Sequence, residues 1–135
     1  MLNELGIYIH IPFCKQKCYY CDFVSYSNKC SEVKEYIESL KKEIEEFDFS
    51  NYKVTSIYIG GGTPSYIDSI YIVEILSELK EKLKCNLIEF KDIEITIEVN
   101  PGTVDTKKLN DYKKSGINRL SIGLQSTKND ILKKI

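Results

Sequence analysis

Gly6-Ile7-Tyr8-Ile9-His10-Ile11-Pro12-Phe13 sets Ile7, Ile9, Ile11 and Phe13 on one side of an extended chain and Tyr8, His10 and Pro12 on the other. A period of two over eight residues predicts a strand with two unlike faces. Three further segments, 54–60, 92–100 and 118–125, repeat the pattern. Ile57 and Ile59 oppose Ser56, Tyr58 and Gly60. Ile93, Ile95, Ile97 and Val99 oppose Glu94, Thr96, Glu98 and Asn100, while Leu120, Ile122 and Leu124 oppose Ser121, Gly123 and Gln125. Each strand is followed by helical periodicity or helix-start signals, so the chain reads as α/β, about four βα units on a parallel sheet.

The helices follow from spacing. Val33, Ile37, Leu40, Ile44 and Phe47 make an apolar stripe over 31–47 with Ser31 as N-cap, and Ile72, Leu76, Leu79 and Leu83 make a second behind Asp68 or Ser69. A third helix at 105–115 has Asp105 or Thr106 as its cap and Gly116 at the C′ position. A fourth opens near Thr127-Lys128-Asn129-Asp130 and reaches Ile135 before completing two turns.

A barrel strand usually carries branched apolar residues on both faces, and these do not. If the oily face packs under the helices, the polar face lines whatever the sheet curves around. Carboxylates and amides do not sit unpaired in a dry core, which points to a lumen that holds a polar ligand. The plain alternative is a solvated face of an open sheet.

Composition narrows the function classes. The 135 residues, 42% hydrophobic and 29% charged, suit one globular domain. Nineteen basic and twenty acidic residues give a net charge of −1, and no basic run with interleaved aromatics offers itself to nucleic acid. No apolar run approaches the roughly 20 residues of a membrane span, and Met1-Leu2-Asn3-Glu4 lacks a charged leader, so a cytoplasmic location is expected. Five cysteines, with Cys30 and Cys85 isolated, fit reduced thiols or a metal site better than a disulfide framework.

The other three, Cys14, Cys18 and Cys21, form a C-x3-C-x2-C loop directly after the first strand. Three thiolates on one short loop can hold three irons of a [4Fe-4S] cube and leave the fourth iron open to a substrate. A zinc site would need His10 or Cys30 as a fourth ligand, and a redox pair built on Cys18 and Cys21 leaves Cys14 without a role. His10 also reads simply as a packed strand residue. Strand two ends in Gly60-Gly61-Gly62-Thr63-Pro64, which is neither a Walker A loop nor a dinucleotide fingerprint. Its glycines let backbone approach a ligand, or merely make a tight turn. Glu98, Asn100-Pro101 and Gln125 close their strands at the same edge, where parallel α/β sheets place ligand sites.

These stretches, with Cys21-Asp22-Phe23, Ile97-Glu98-Val99-Asn100-Pro101 and Arg119-Leu120-Ser121-Ile122-Gly123-Leu124-Gln125-Ser126, resemble the radical S-adenosylmethionine (SAM) proteins related to oxygen-independent coproporphyrinogen III oxidase, and within them most closely a heme chaperone branch. The resemblance implies a partial (β/α)6 TIM-like barrel and a [4Fe-4S] cluster on Cys14, Cys18 and Cys21. It further implies that the open iron is chelated by SAM, with Tyr8, the backbone around Tyr20, Gly61, Gly62, Thr63, Glu98 and Gln125 contacting the cofactor. A one-electron reductant would then drive sulfonium cleavage to a 5′-deoxyadenosyl radical. In the oxidase branch another cysteine stands where this sequence has Phe23, which favours a heme-binding relative over an oxidoreductase of the coproporphyrinogen dehydrogenase type, so the implied partner is heme or else a porphyrinogen. Residues 1–135 are then expected to be one truncated core domain, lacking later βα units and a C-terminal domain, inactive and marginally stable alone.

Overall fold

The first strand begins earlier than its alternation and ends at the proline. In the computed structural model, which describes residues 2–84 and 89–134, β1 spans Asn3–Ile11 because Asn3–Leu5 finds a partner ladder in Tyr52–Val54. Pro12 has no N–H to donate, and extended pairing resumes as a separate pair, β2 (Phe13–Cys14) against β3 (Tyr26–Ser27). α1 (Val33–Glu46) leads to β4 (Tyr52–Gly61), α2 (Ser69–Leu83), β5 (Glu94–Val99), α3 (Thr106–Ser115), β6 (Arg119–Ile122) and the single turn α4 (Asn129–Leu132). The main sheet has the order β1-β4-β5-β6 with every neighbouring pair parallel. This is the expected α/β architecture. Cys85, one of the two isolated cysteines, lies outside the described residues.

Other boundaries also differ from the sequence expectation, β4 starting two residues earlier than 54–60 and β5 being shorter than 92–100. Ser31 does not cap α1: it lies in the short 3-10 turn Cys30–Glu32, and the helix starts one residue after Glu32 without a side-chain cap. Phe47 leaves the helix in an extended conformation and packs its ring on Phe49 at a centroid distance of 4.6 Å. The last strand stops at Ile122, so Gln125 owes its place to a left-handed backbone (φ 61°) rather than to strand alternation. Asp68 and Asp105 cap α2 and α3, accepting the N–H groups of Ile70 and Lys108, and Gly116 takes the left-handed C-cap.

The oily face is buried as expected. Ile9, Ile11, Ile57, Ile59, Ile95 and Ile97 are all at most 3% exposed beneath α1 and α2, where Ile37, Ile72, Leu76 and Leu79 meet them. Each such side chain contributes about 1.5–3 kcal/mol by leaving water, enough to decide which side of the sheet the helices cover. β6 departs from this: Leu120 and Ile122 on the same face are 39% and 59% exposed. The polar face is only partly open. Tyr8 and Tyr58 stack over it with centroids 6.2 Å apart, and Thr96 between the strands is buried.

Tyr112 of α3 carries a buried polar atom that the core leaves unsatisfied. It is 1% exposed, and its hydroxyl has no hydrogen-bond partner among the described residues. Burial, with Asp68, Asp111 and Asp105 nearby, pushes the phenol up to about 12. A raised acid pKa in the fold means that stability is held below the unfolded value near 10 and lost as pH climbs from there toward 12. Tyr112→Phe should therefore stabilise by about 1 kcal/mol at neutral pH, and its advantage should grow by roughly 1.4 kcal/mol by about pH 11. Denaturant melts of both proteins at about pH 8 and about pH 11 measure it; an advantage that does not grow with pH contradicts the assignment.

Candidate functional site: the cysteine loop and the strand rim

β4 delivers its glycines against the end of β1. Gly61 has φ +121°, and a Cβ there would stand 2.9 Å from the Ile11 carbonyl oxygen and 3.0 Å from the His10 ring. Its N–H donates to Glu98 Oε2 at 3.2 Å, while the other carboxylate oxygen of Glu98 accepts the Tyr58 hydroxyl at 2.9 Å. Gly62 N–H donates to Ile11 O and Thr63 N–H to Phe13 O, both at 2.9 Å. A Cβ at Gly62 would lie 2.8 Å from Cys14 Sγ, and the Thr63 hydroxyl is 3.5 Å from the same sulfur. Glycine is thus required where the turn meets the first cysteine.

Cys14 is buried in β2, and Cys18 and Cys21 are half-buried. The loop between them and β3 is held by few bonds. Cys21 N–H donates to Cys18 O at 3.1 Å, Tyr26 N–H to Pro12 O at 2.7 Å, and Lys17 Nζ to Phe23 O and Ser25 Oγ at 2.5 and 2.9 Å. The remaining tie is His10. Its Nε2 stands 2.8 Å from the Val24 carbonyl, an acceptor only, so that nitrogen donates, and Nδ1 pairs with the Tyr8 hydroxyl at 3.1 Å. His10→Ala should cost about 1–3 kcal/mol and free the loop. Limited trypsin digestion at Lys15 and Lys17 reads this: cleavage there should speed up in the variant, and an unchanged rate would mean that the histidine does not hold the loop.

A cleft of about 320 Å³ opens between this loop and the sheet rim. Cys14, Cys18 and Cys21 line it together with Tyr20, Gly61, Gly62, Thr63, Glu98 and Gln125. Of the residues the resemblance assigns to cluster or cofactor, Tyr8 stays outside, bonded to His10 and reaching the site at one remove, and His10 and Cys30 lie outside the lining as well. Sequence reasoning missed Tyr58 as the partner of Glu98; its place on the polar face, two positions before Gly60, was the available signal. Burial and then the Cys18 sulfur raise the Tyr20 phenol, and burial followed by the Glu98 charge raises that of Tyr8.

Among the described residues, no three histidine, cysteine or carboxylate groups gather around a single ion. The three thiols line the same cleft, and as a donor set three thiolates suit a cube, whose ligands bind separate irons. The two candidates for a fourth zinc ligand are engaged elsewhere: both ring nitrogens of His10 are bonded, and Cys30 Sγ pairs with the Tyr66 hydroxyl at 3.0 Å. No helix among the described residues is long and apolar enough to cross a membrane.

The chain is 48% identical over 138 residues to heme chaperone HemW of Buchnera aphidicola (subsp. Schizaphis graminum), matching 99% of this chain and 35% of that protein. It is 40% identical over 139 residues to the Escherichia coli K12 protein of the same name, again with 99% and 35% covered. Its fold superposes on E. coli coproporphyrinogen III oxidase HemN, described as a radical SAM enzyme, with TM-score 0.86 and 29% identity over 98% of this chain and 30% of that one. The chain thus spans about a third of the length of these relatives. The radical SAM superfamily model matches residues 8–135, from the tyrosine of β1 through the cysteine loop to the last residue, and the chain belongs to that superfamily.

Proposed function

We propose that this chain carries the cluster- and SAM-binding part of a heme chaperone of the radical SAM type. The observation that carries the reading is the meeting, in one rim cleft, of Cys14, Cys18 and Cys21 with the Gly61–Thr63 turn and Glu98. Bound there, a [4Fe-4S] cluster supplies one electron to a sulfonium and, at its open iron, a chelation site for the amine and carboxylate of SAM.

The chain's own groups favour such a ligand over a phosphate. The N–H groups of Gly61, Gly62 and Thr63 are all spent on Glu98, Ile11 and Phe13, and Pro64 has none, so the turn is no anion nest. What it retains are acceptors, suited to the ammonium of an amino acid. Glu98 has lone pairs to spare beyond the Gly61 N–H and the Tyr58 hydroxyl, and takes a further ammonium or ribose hydroxyl donor. Gln125 and the Tyr20 backbone complete the contacts on this reading, with Tyr8 acting through His10. Cys14, Cys18 and Cys21 take the cluster irons.

Heme handling is supported by Phe23. It is 71% exposed, lines the cleft beside Tyr20, and puts an aromatic ring rather than a thiol at the mouth, a surface on which a flat macrocycle stacks. A one-electron reductant and heme are the partners this reading requires. The likeness to HemN favours a second reading, radical oxidation of coproporphyrinogen. Anaerobic reconstitution with iron and sulfide, followed by titration with heme and an assay for decarboxylation of coproporphyrinogen, tests both. A cubane spectrum with heme binding and no decarboxylation is expected; decarboxylation without heme binding would replace the chaperone reading, and tight zinc binding with no cubane would end both.

A further inference from the structure

The turn after β4 and the turn after β5 are joined by a closed ring of hydrogen bonds. Asn100 N–H donates to Ser65 Oγ at 3.0 Å, Ser65 Oγ and Thr103 Oγ1 are 2.5 Å apart, and Thr103 Oγ1 donates to Asn100 O at 2.8 Å. The backbone ends fix the proton order. Asn100 N–H is a donor only and its carbonyl an acceptor only, so the Ser65 hydroxyl must donate to Thr103 and the Thr103 hydroxyl to Asn100. Ser65 is fully buried, so water cannot replace a missing member.

Lys108 sits over this ring. Its backbone N–H is taken by the Asp105 cap, and its ammonium donates to Ser65 O at 2.8 Å, Ile67 O at 2.9 Å and Thr103 O at 3.1 Å. All three protons of the ammonium are used, on three carbonyls from two turns that are more than thirty residues apart in sequence. Burial holds this amine below the ordinary lysine range, as expected for a charge satisfied by carbonyls rather than water. The cluster loop makes no contact with it in the hydrogen-bond pattern.

We propose that Lys108, with the Ser65–Thr103–Asn100 ring, is a positioning residue for SAM: it sets the separation of the Gly61–Thr63 turn from Glu98 and Asn100 at the end of β5. On this reading two walls of the cleft come from these two turns, and Lys108, a residue of neither, is bonded to both. This rests on the SAM-binding reading and goes beyond it by naming what holds the site at its working width. None of the three carbonyls that Lys108 bonds belongs to the cysteine loop, which meets this turn through Gly62 and Thr63, so SAM binding should be affected more than cluster binding.

The experiment compares wild type, Lys108→Met and Thr103→Val after anaerobic reconstitution. Three quantities are read: iron and sulfide content, SAM dissociation constant by titration, and the change in the electron paramagnetic resonance spectrum of the reduced cluster on adding SAM. Lys108→Met should keep its cluster and bind SAM about tenfold more weakly, with Thr103→Val shifted the same way by less. The spectral change should demand correspondingly more SAM. A lower melting point with unchanged SAM constant and spectral change would overturn the proposal and leave the clamp a stabilising contact only. If Lys108→Met does not fold, Thr103→Val decides by the same readings. A wild-type protein with a full cluster that takes up no SAM would overturn the SAM-binding reading, and the clamp's role with it.

Discussion

Cys14→Ser is expected to abolish cluster retention, and with it SAM binding, while the chain stays folded. Cys14 is 8% exposed, lies in β2 with its sulfur against Thr63 and Gly62, and is the most buried of the three thiols. Serine fits the same space but offers a hard, protonated oxygen where iron-sulfur chemistry takes a thiolate. Losing a supporting partner of a metal ligand costs roughly 10–100-fold in affinity, and losing the ligand itself should cost more. Cys30→Ser is the control. Its thiol faces the Tyr66 hydroxyl outside the cleft, so that variant should reconstitute normally. Iron and sulfide analysis with visible absorbance measures both, and a fully loaded Cys14→Ser protein would remove Cys14 from the ligand set.

Gly61→Ala carries the second large effect, this time on the fold. An alanine at φ +121° stands outside the region L-residues populate, and its Cβ meets the Ile11 carbonyl and the His10 ring at 2.9 and 3.0 Å. Ile11 closes the β1–β4 ladder opposite Gly61, and its carbonyl accepts the Gly62 N–H, so it cannot yield without loosening the turn. Backbone strain and overpacking each cost about 1–3 kcal/mol, so a loss of about 3 kcal/mol or more is expected, a large part of a domain's stability. It would also pull the Gly61 N–H from Glu98 and distort the turn. Gly102→Ala is the contrast, since its nearest neighbour is the Asn100 amide oxygen at 3.5 Å and the change should fall within about 0.5 kcal/mol. Urea melts that place the two variants together would show the backbone argument to be wrong.

Much of this site was legible because its signals are local. The spacing of Cys14, Cys18 and Cys21 is covalent, and alternation in 92–100 shows which side of β5 Glu98 occupies without knowledge of any neighbour. The helical stripe from Ile72 to Leu83 needed only the helical period, and all four of its residues are buried. Tyr8 shows the limit of the same reasoning. Alternation put it on the polar face, but which atom its hydroxyl meets depended on the His10 ring and the Val24 carbonyl, set by a loop with no periodicity. Gln125 reached the cleft by a left-handed turn that period two does not describe.

By itself, then, the sequence determined the α/β order of elements, the oily and polar faces of the strands, and the C-x3-C-x2-C loop next to a glycine turn, because each is written in residues a few positions apart. Only the tertiary structure decided that β1 begins at Asn3, that β6 is bare on its apolar side, that Glu98 is shared between Tyr58 and Gly61, and that Lys108 ties Ser65 to Thr103. The pairings reach across the chain, 37 residues from Gly61 to Glu98 and 43 from Ser65 to Lys108, between groups that meet only when the parallel ladder sets its register, and no local pattern encodes that register.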